Sequence, residues 1–168
     1  MTKYVIVIDV QSGFKSLCNK EYVQKIDDAL EEYINAGYEL YYTIDNHINQ
    51  DLYLDTQECV QYGIHCNKDI DLIPLASRCK EQPNKHMNKN IFMAWSLCVI
   101  PEFPEEIVIF GVTSEVCVIN NALYLRALFP TAPIIVREDL CKGFTQEGHD
   151  SAMNVMRACS INVVNPVN

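Results

Sequence analysis

Apolar positions follow two periods along the chain. Lys3–Asp9 (KYVIVID), Tyr38–Asp45 (YELYYTID), Glu106–Val112 (EIVIFGV), Ala132–Asp139 (APIIVRED) and Ile161–Asn165 (INVVN) are short runs rich in Val, Ile and Tyr. All are read as strands, and the continuous apolar run Lys3–Asp9 has the pattern of one covered on both faces. A further short strand is expected around Asn88–Phe92. Between these runs the helical period predicts helices over Lys20–Asn35, Ser114–Leu128 and Thr145–Ala158, with Gly37 stopping the first. Residues 46–84 are polar and irregular, with Gly63 and Pro74. A loop that long inside a compact domain usually serves function.

Strands alternating with helices predict an α/β fold: a three-layer, doubly wound, mainly parallel sheet of about six strands. Ligands in such folds bind outside the carboxyl ends of the strands. Asp9, Asp45 and the Gly111–Ser114 turn all fall at those ends, so they are expected to meet in space.

The length, 168 residues, suits a single domain over 1–168. A formal net charge of −9 argues against nucleic acid and anionic membrane as partners, since both require surplus Lys and Arg. No apolar run approaches the roughly 18 residues needed to cross a bilayer. The opening MTKYVIVIDVQ is a poor signal peptide because Asp9 cuts its apolar run and no small-residue cleavage site follows. The eight Cys residues form no C-x-x-C pair. They are expected to be reduced, in a cytoplasmic protein.

Cys117 is the most informative of them. Val116, Ile119, Leu123 and Ala127 make an apolar helix face beside it, so a packing thiol is one reading. The start of a helix also carries partial positive charge, which favours a thiolate, and unsatisfied N–H groups that can hold an oxyanion. A thiol nucleophile needs a proton acceptor and an electrostatic partner. Asp9 and Lys89 are the candidates. In TIDNH, Asp45 and His47 lie two apart at a strand end; His65 follows in YGIHC, with Glu58 seven residues before it. Together they form a plausible site for Zn²⁺, Fe²⁺ or Mn²⁺, and solvated loop side chains are the alternative.

Taken together, these residues resemble the isochorismatase-like cysteine hydrolases, and within them the nicotinamidases. VIDVQSGF resembles the opening D-x-Q-x-x-F, carried by Asp9, Gln11 and Phe14. KNIFMAW is similar to K-x-x-x-S-A-F and places the lysine at Lys89. GVTSEVCV is similar to G-x-x-T/S-x-x-C-V and places the nucleophile at Cys117. Asp45, His47 and His65 match the metal segment of nicotinamidases, and Glu58 matches a variable fourth ligand by its distance to His65. The chain departs from the pattern at Tyr62-Gly63-Ile64, at NKDIDL, at Met93 and at Trp95.

The resemblance implies an Asp9–Lys89–Cys117 triad and a cis peptide bond between Val112 and Thr113. It also implies an oxyanion hole from the N–H groups of Thr113 and Cys117. Gln11, Phe14, Trp95 and Val112 are the expected substrate contacts. A divalent metal, zinc first, is the expected cofactor, with no organic cofactor. The expected reaction is hydrolysis of a small amide such as nicotinamide by a homo-oligomer. The alternatives are a metal-free relative acting on another small amide or carbamoyl compound, and a non-catalytic α/β binding domain.

Overall fold

The first strand, β1 (Lys3–Ile8), lies between β2 (Glu39–Asp45) and β4 (Glu106–Val112), pairing in parallel with both. The computed structural model describes residues 2–48, 51–94, 97–98, 100 and 103–166, with backbone only at 51–52. Beyond β2 lies β3 (His86–Lys89), and beyond β4 lie β5 (Ile134–Lys142) and β6 (Asn162–Val164). The result is a six-stranded, all-parallel sheet in the order β3-β2-β1-β4-β5-β6.

The long helices are α1 (Lys20–Asn35), α4 (Ile119–Leu128) and α5 (Gln146–Ala158). Asn19 caps α1 by accepting the N–H of Tyr22 at 2.9 Å, and Gly37 ends it in the left-handed region (φ 86°). Its apolar stripe, Tyr22, Ile26, Ala29 and Leu30, is buried. The helix α4 packs against α5. Ile6, Ile8, Ile107, Ile109 and Phe110 are fully buried in the sheet, each worth about 1.5–3 kcal/mol on removal from water.

The strand order reverses between β1 and β4, and the crevice at their carboxyl ends is the expected ligand position. Gly111 faces Ile8 across the ladder with φ 135°, and a Cβ at Gly111 would lie 2.1 Å from the Ile8 carbonyl oxygen. Only glycine fits.

Three expectations about local structure are corrected. The β3 strand runs from His86 to Lys89, two residues before the expected position; its buried and exposed residues alternate because it is the sheet edge. The polar stretch 46–84 contains two short helices, α2 (Gln57–Tyr62), capped by Thr56, and α3 (Ser77–Glu81). The helix expected from Ser114 starts with a π-helical turn, Ser114–Val118, before α4. Among the described residues no helix is long and apolar enough to cross a membrane.

Candidate active site

Strand ends bring the candidate residues together. Lys89 ends β3 and is the register partner of Asp45, the last residue of β2. Asp9 follows β1 with φ 50°, a left-handed turn that directs its carboxylate across the strand ends. Lys89 Nζ lies 2.9 Å from Asp9 Oδ2, 2.9 Å from Asp45 Oδ1 and 3.5 Å from Cys117 Sγ. All four residues are buried.

Thr43 fixes Asp9 from two sides. Its hydroxyl donates to Asp9 Oδ1 at 2.6 Å and accepts the Asp9 N–H at 3.1 Å. On the other side, Asn121 of α4 donates to the carbonyls of Cys117 (2.7 Å) and Phe92 (3.0 Å) and accepts the Ala94 N–H (2.8 Å). It thereby ties the segment after β3 to the Cys117 turn. The Val112–Thr113 peptide is cis. The Thr113 carbonyl accepts the N–H groups of Val116 and Val118, which anchors the π-helical turn to the end of β4.

The electrostatics separate the two carboxylates that share Lys89. Burial and the negative Asp45 raise the proton affinity of Asp9, against the pull of Lys89. Asp45 is also buried, but Lys89 and the neighbouring imidazoles of His47 and His65 outweigh that, and it stays well below the usual carboxylate range. Two acids with opposed shifts suggest a division of labour, one permanently ionised and one able to carry a proton. Lys89 is held charged, because Asp9, Cys117 and Asp45 outweigh its burial. Cys117 is pushed well above the ordinary thiol value by burial and by both carboxylates, with Lys89 opposing. These effects oppose the helix-start influence that favours a thiolate.

Asp45 also belongs to a second cluster. One ligand atom from each of Asp45, His47, Glu58 and His65 falls within 4.8 Å of the others. His65 Nε2 is 3.1 Å from Asp45 Oδ2, and His47 Nε2 is 3.3 Å from Asp45 Oδ1 and 3.8 Å from Glu58 Oε1. Both ring nitrogens of buried His47 lack an aligned hydrogen-bond partner. Such an orphan is costly unless something binds it, and two imidazoles with two carboxylates are the donor set of a zinc, iron or manganese site. Tyr53 orients both rings: it stacks on His47 at 3.6 Å, and its hydroxyl meets His65 Nδ1 at 3.0 Å, which leaves Nε2 facing the cluster.

A cleft of about 240 Å³ opens beside these groups, lined by Cys117, Thr113, Val116, Asp45, Glu58 and His65 among others. Phe14, Tyr62, Phe92 and Phe144 supply its aromatic lining. The volume lies below the 300–1,000 Å³ common for drug-sized ligands, so a small flat molecule fits the space.

No protein-family profile and no curated protein matches the sequence. Solved structures do match. The pyrazinamidase/nicotinamidase from Streptococcus mutans superposes with a TM-score of 0.79 at 20% identity, covering 97% of this chain and 100% of that one. The fold is that of the isochorismatase-like hydrolases. An isochorismatase-like hydrolase from Alkaliphilus metalliredigens gives 0.76 at 16% identity, covering 98% and 95%. The pyrazinamidase of Pyrococcus horikoshii, a complex with zinc, gives 0.77 at 16% identity, covering 98% and 99%.

Within this fold some expected substrate contacts lie elsewhere. Gln11 is fully buried and does not line the cleft. Its amide donates to the carbonyls of Asp45 (2.9 Å) and Asp71 (3.0 Å) and accepts the Asp45 N–H (2.8 Å), so it splices the ends of β1 and β2. Val112 is also fully buried, and its neighbours Thr113 and Val116 face the cleft instead. Phe14 lines the cleft. Trp95 lies outside the described residues. Thr43, Tyr53, Tyr62, Phe92, Asn121 and Phe144 were not anticipated. For Thr43 and Asn121 the only signal is a polar residue in an otherwise buried strand or helix face.

Proposed function

We propose that the protein is a cysteine amidohydrolase acting on a small aromatic amide, nicotinamide to nicotinate and ammonia, with a divalent metal beside the nucleophile. The observation that carries this reading is Lys89 Nζ in contact with Asp9, Asp45 and Cys117 at once. The named activities of the zinc-bound P. horikoshii pyrazinamidase and the S. mutans pyrazinamidase/nicotinamidase support the substrate class.

Asp9, whose proton affinity is raised, takes the proton of the Cys117 thiol as its sulfur attacks the amide carbon. Lys89 stays charged and offsets the negative charge that develops between sulfur and carboxylate. The N–H groups of Thr113 and Cys117 receive the oxyanion; loss of one such donor in other hydrolases costs about 3 kcal/mol. The C–N bond breaks, Asp9 returns its proton to the leaving amine, and a thioester remains on Cys117. Water, deprotonated by Asp9, then releases the acid and regenerates the thiol. Asp45, His47, Glu58 and His65 would hold the metal, which when bound supplies a Lewis acid for a ring nitrogen or a water. Phe14 provides an apolar wall for the ring.

The test is ammonia release from nicotinamide with and without a chelator. Release that falls on chelation and returns with added Zn²⁺, Fe²⁺ or Mn²⁺ is expected. Release indifferent to chelator would remove the metal from the reading, and no release would remove nicotinamide.

A further inference from the structure

Phe144 sits where β5 passes into α5, with 51% of its surface exposed. Its ring lies on that of Tyr62 from α2, at a centroid distance of 5.9 Å and an interplanar angle of 23°. Tyr62 in turn meets Phe92 edge-on at 6.0 Å. All three border the same cleft as Cys117. The Phe144–Tyr62 stack thus bridges the rim carrying Glu58 and the segment beside the nucleophile's turn.

The position of Phe144 is set by Glu115, two residues before Cys117 in the π-helical turn. Glu115 Oε1 accepts the backbone N–H of Phe144 at 2.7 Å and that of Thr145 at 3.3 Å. The carboxylate is seated between two glycines. A Cβ at Gly143 would lie 2.5 Å from Oε2, and one at Gly148 would lie 2.7 Å from Oε1. With no room for a Cβ at positions 143 and 148, the passage from β5 into α5 is closed around a carboxylate rooted in the same turn as the thiol. The negative charge also complements the positive end of α5.

We propose that Phe144 is a size filter on what reaches Cys117, closing the cleft to groups larger than a single ring, and that Glu115 is the positioning residue that keeps it there. The proposal rests on Cys117 being the reacting group of the amidase reading. A second fused ring must displace Phe144 and give up its stack on Tyr62.

The test compares alkylation of Cys117 by iodoacetamide and by N-naphthyl iodoacetamide, read by peptide mass mapping, with thermal melts to confirm folding. In Phe144→Ala the bulky-to-small rate ratio should rise by at least roughly tenfold, the scale of steric discrimination in an apolar pocket. Glu115→Ala should raise it as well, and Glu115→Gln, which keeps an acceptor oxygen, should stay near wild type. A merely structural role would move both rates together and leave the ratio alone. An unchanged ratio in folded Phe144→Ala, or no labelling of Cys117 by either reagent in any variant, would overturn the filter. An unchanged ratio in Glu115→Ala alone would overturn the role of Glu115. Ammonia release is measured in parallel, and its absence in wild type would count against the amidase reading without touching the alkylation ratio.

Discussion

Lys89 donates to Asp45 Oδ1 at 2.9 Å, and that same oxygen lies 3.3 Å from His47 Nε2. One carboxylate therefore serves both the cation beside the thiol and the cluster of metal-type donors. The two halves of the site are joined through a single residue, and Asp45 cannot be altered for one without affecting the other.

Replacing Asp45 with Asn tests that coupling. The variant should lose bound metal and lower ammonia release by at least about a hundredfold, since even residues outside the ligand shell change metal affinity by 10–100-fold. Removing one partner of a buried ion pair also costs about 3 kcal/mol, so its melting temperature should fall. Metal analysis and melting curves check this. Full metal content with undiminished release would refute the coupling.

Thr43→Val keeps the shape of the side chain but removes the hydroxyl that both donates to and accepts from Asp9. It leaves a buried N–H without a partner, at a cost of about 1–3 kcal/mol. Asp9, no longer bonded on Oδ1, should bind its proton more tightly still, because that bond favours the ionised form. A denaturant midpoint equal to wild type would show that Thr43 does not hold Asp9.

Stability should fall in alkali. Burial pushes the thiols of Cys18, Cys79 and Cys141 up to about 12 from an ordinary value of 9.0. The folded state thus retains protons that the unfolded state releases. This stabilisation is fully present below pH 9 and is lost as pH rises toward 12, at about 1.4 kcal/mol per pH unit for each thiol. Urea midpoints at about pH 7.5 and about pH 10 measure it. A midpoint that holds or rises would contradict the assignment.

The sequence made the sheet legible because β1 and β4 are mostly buried Val and Ile, and β5 opens with Ile-Ile-Val. It misplaced β3 because HMNK at the edge is half exposed and carries no apolar run. The residues at strand ends could be named from type and spacing, and the motif resemblance added the order in which they occur. Their partners could not be named. Thr43 reaches Asp9, and Gln11 reaches Asp45, across 34 positions of chain. Such pairs exist only once the strands are in register. Tyr62 and Phe144 stayed hidden for a related reason: aromatic residues at the ends of short or irregular segments follow no period, and their meaning comes from stacking on each other.

The central claim is that Cys117 carries the acyl group. The most direct measurement is rapid acid quench of the working enzyme with nicotinamide, followed by peptide mass mapping. The account predicts a nicotinoyl adduct on Cys117 and on no other cysteine, with turnover abolished in Cys117→Ala. Sustained ammonia release from Cys117→Ala, with no adduct on the wild-type residue, would contradict it.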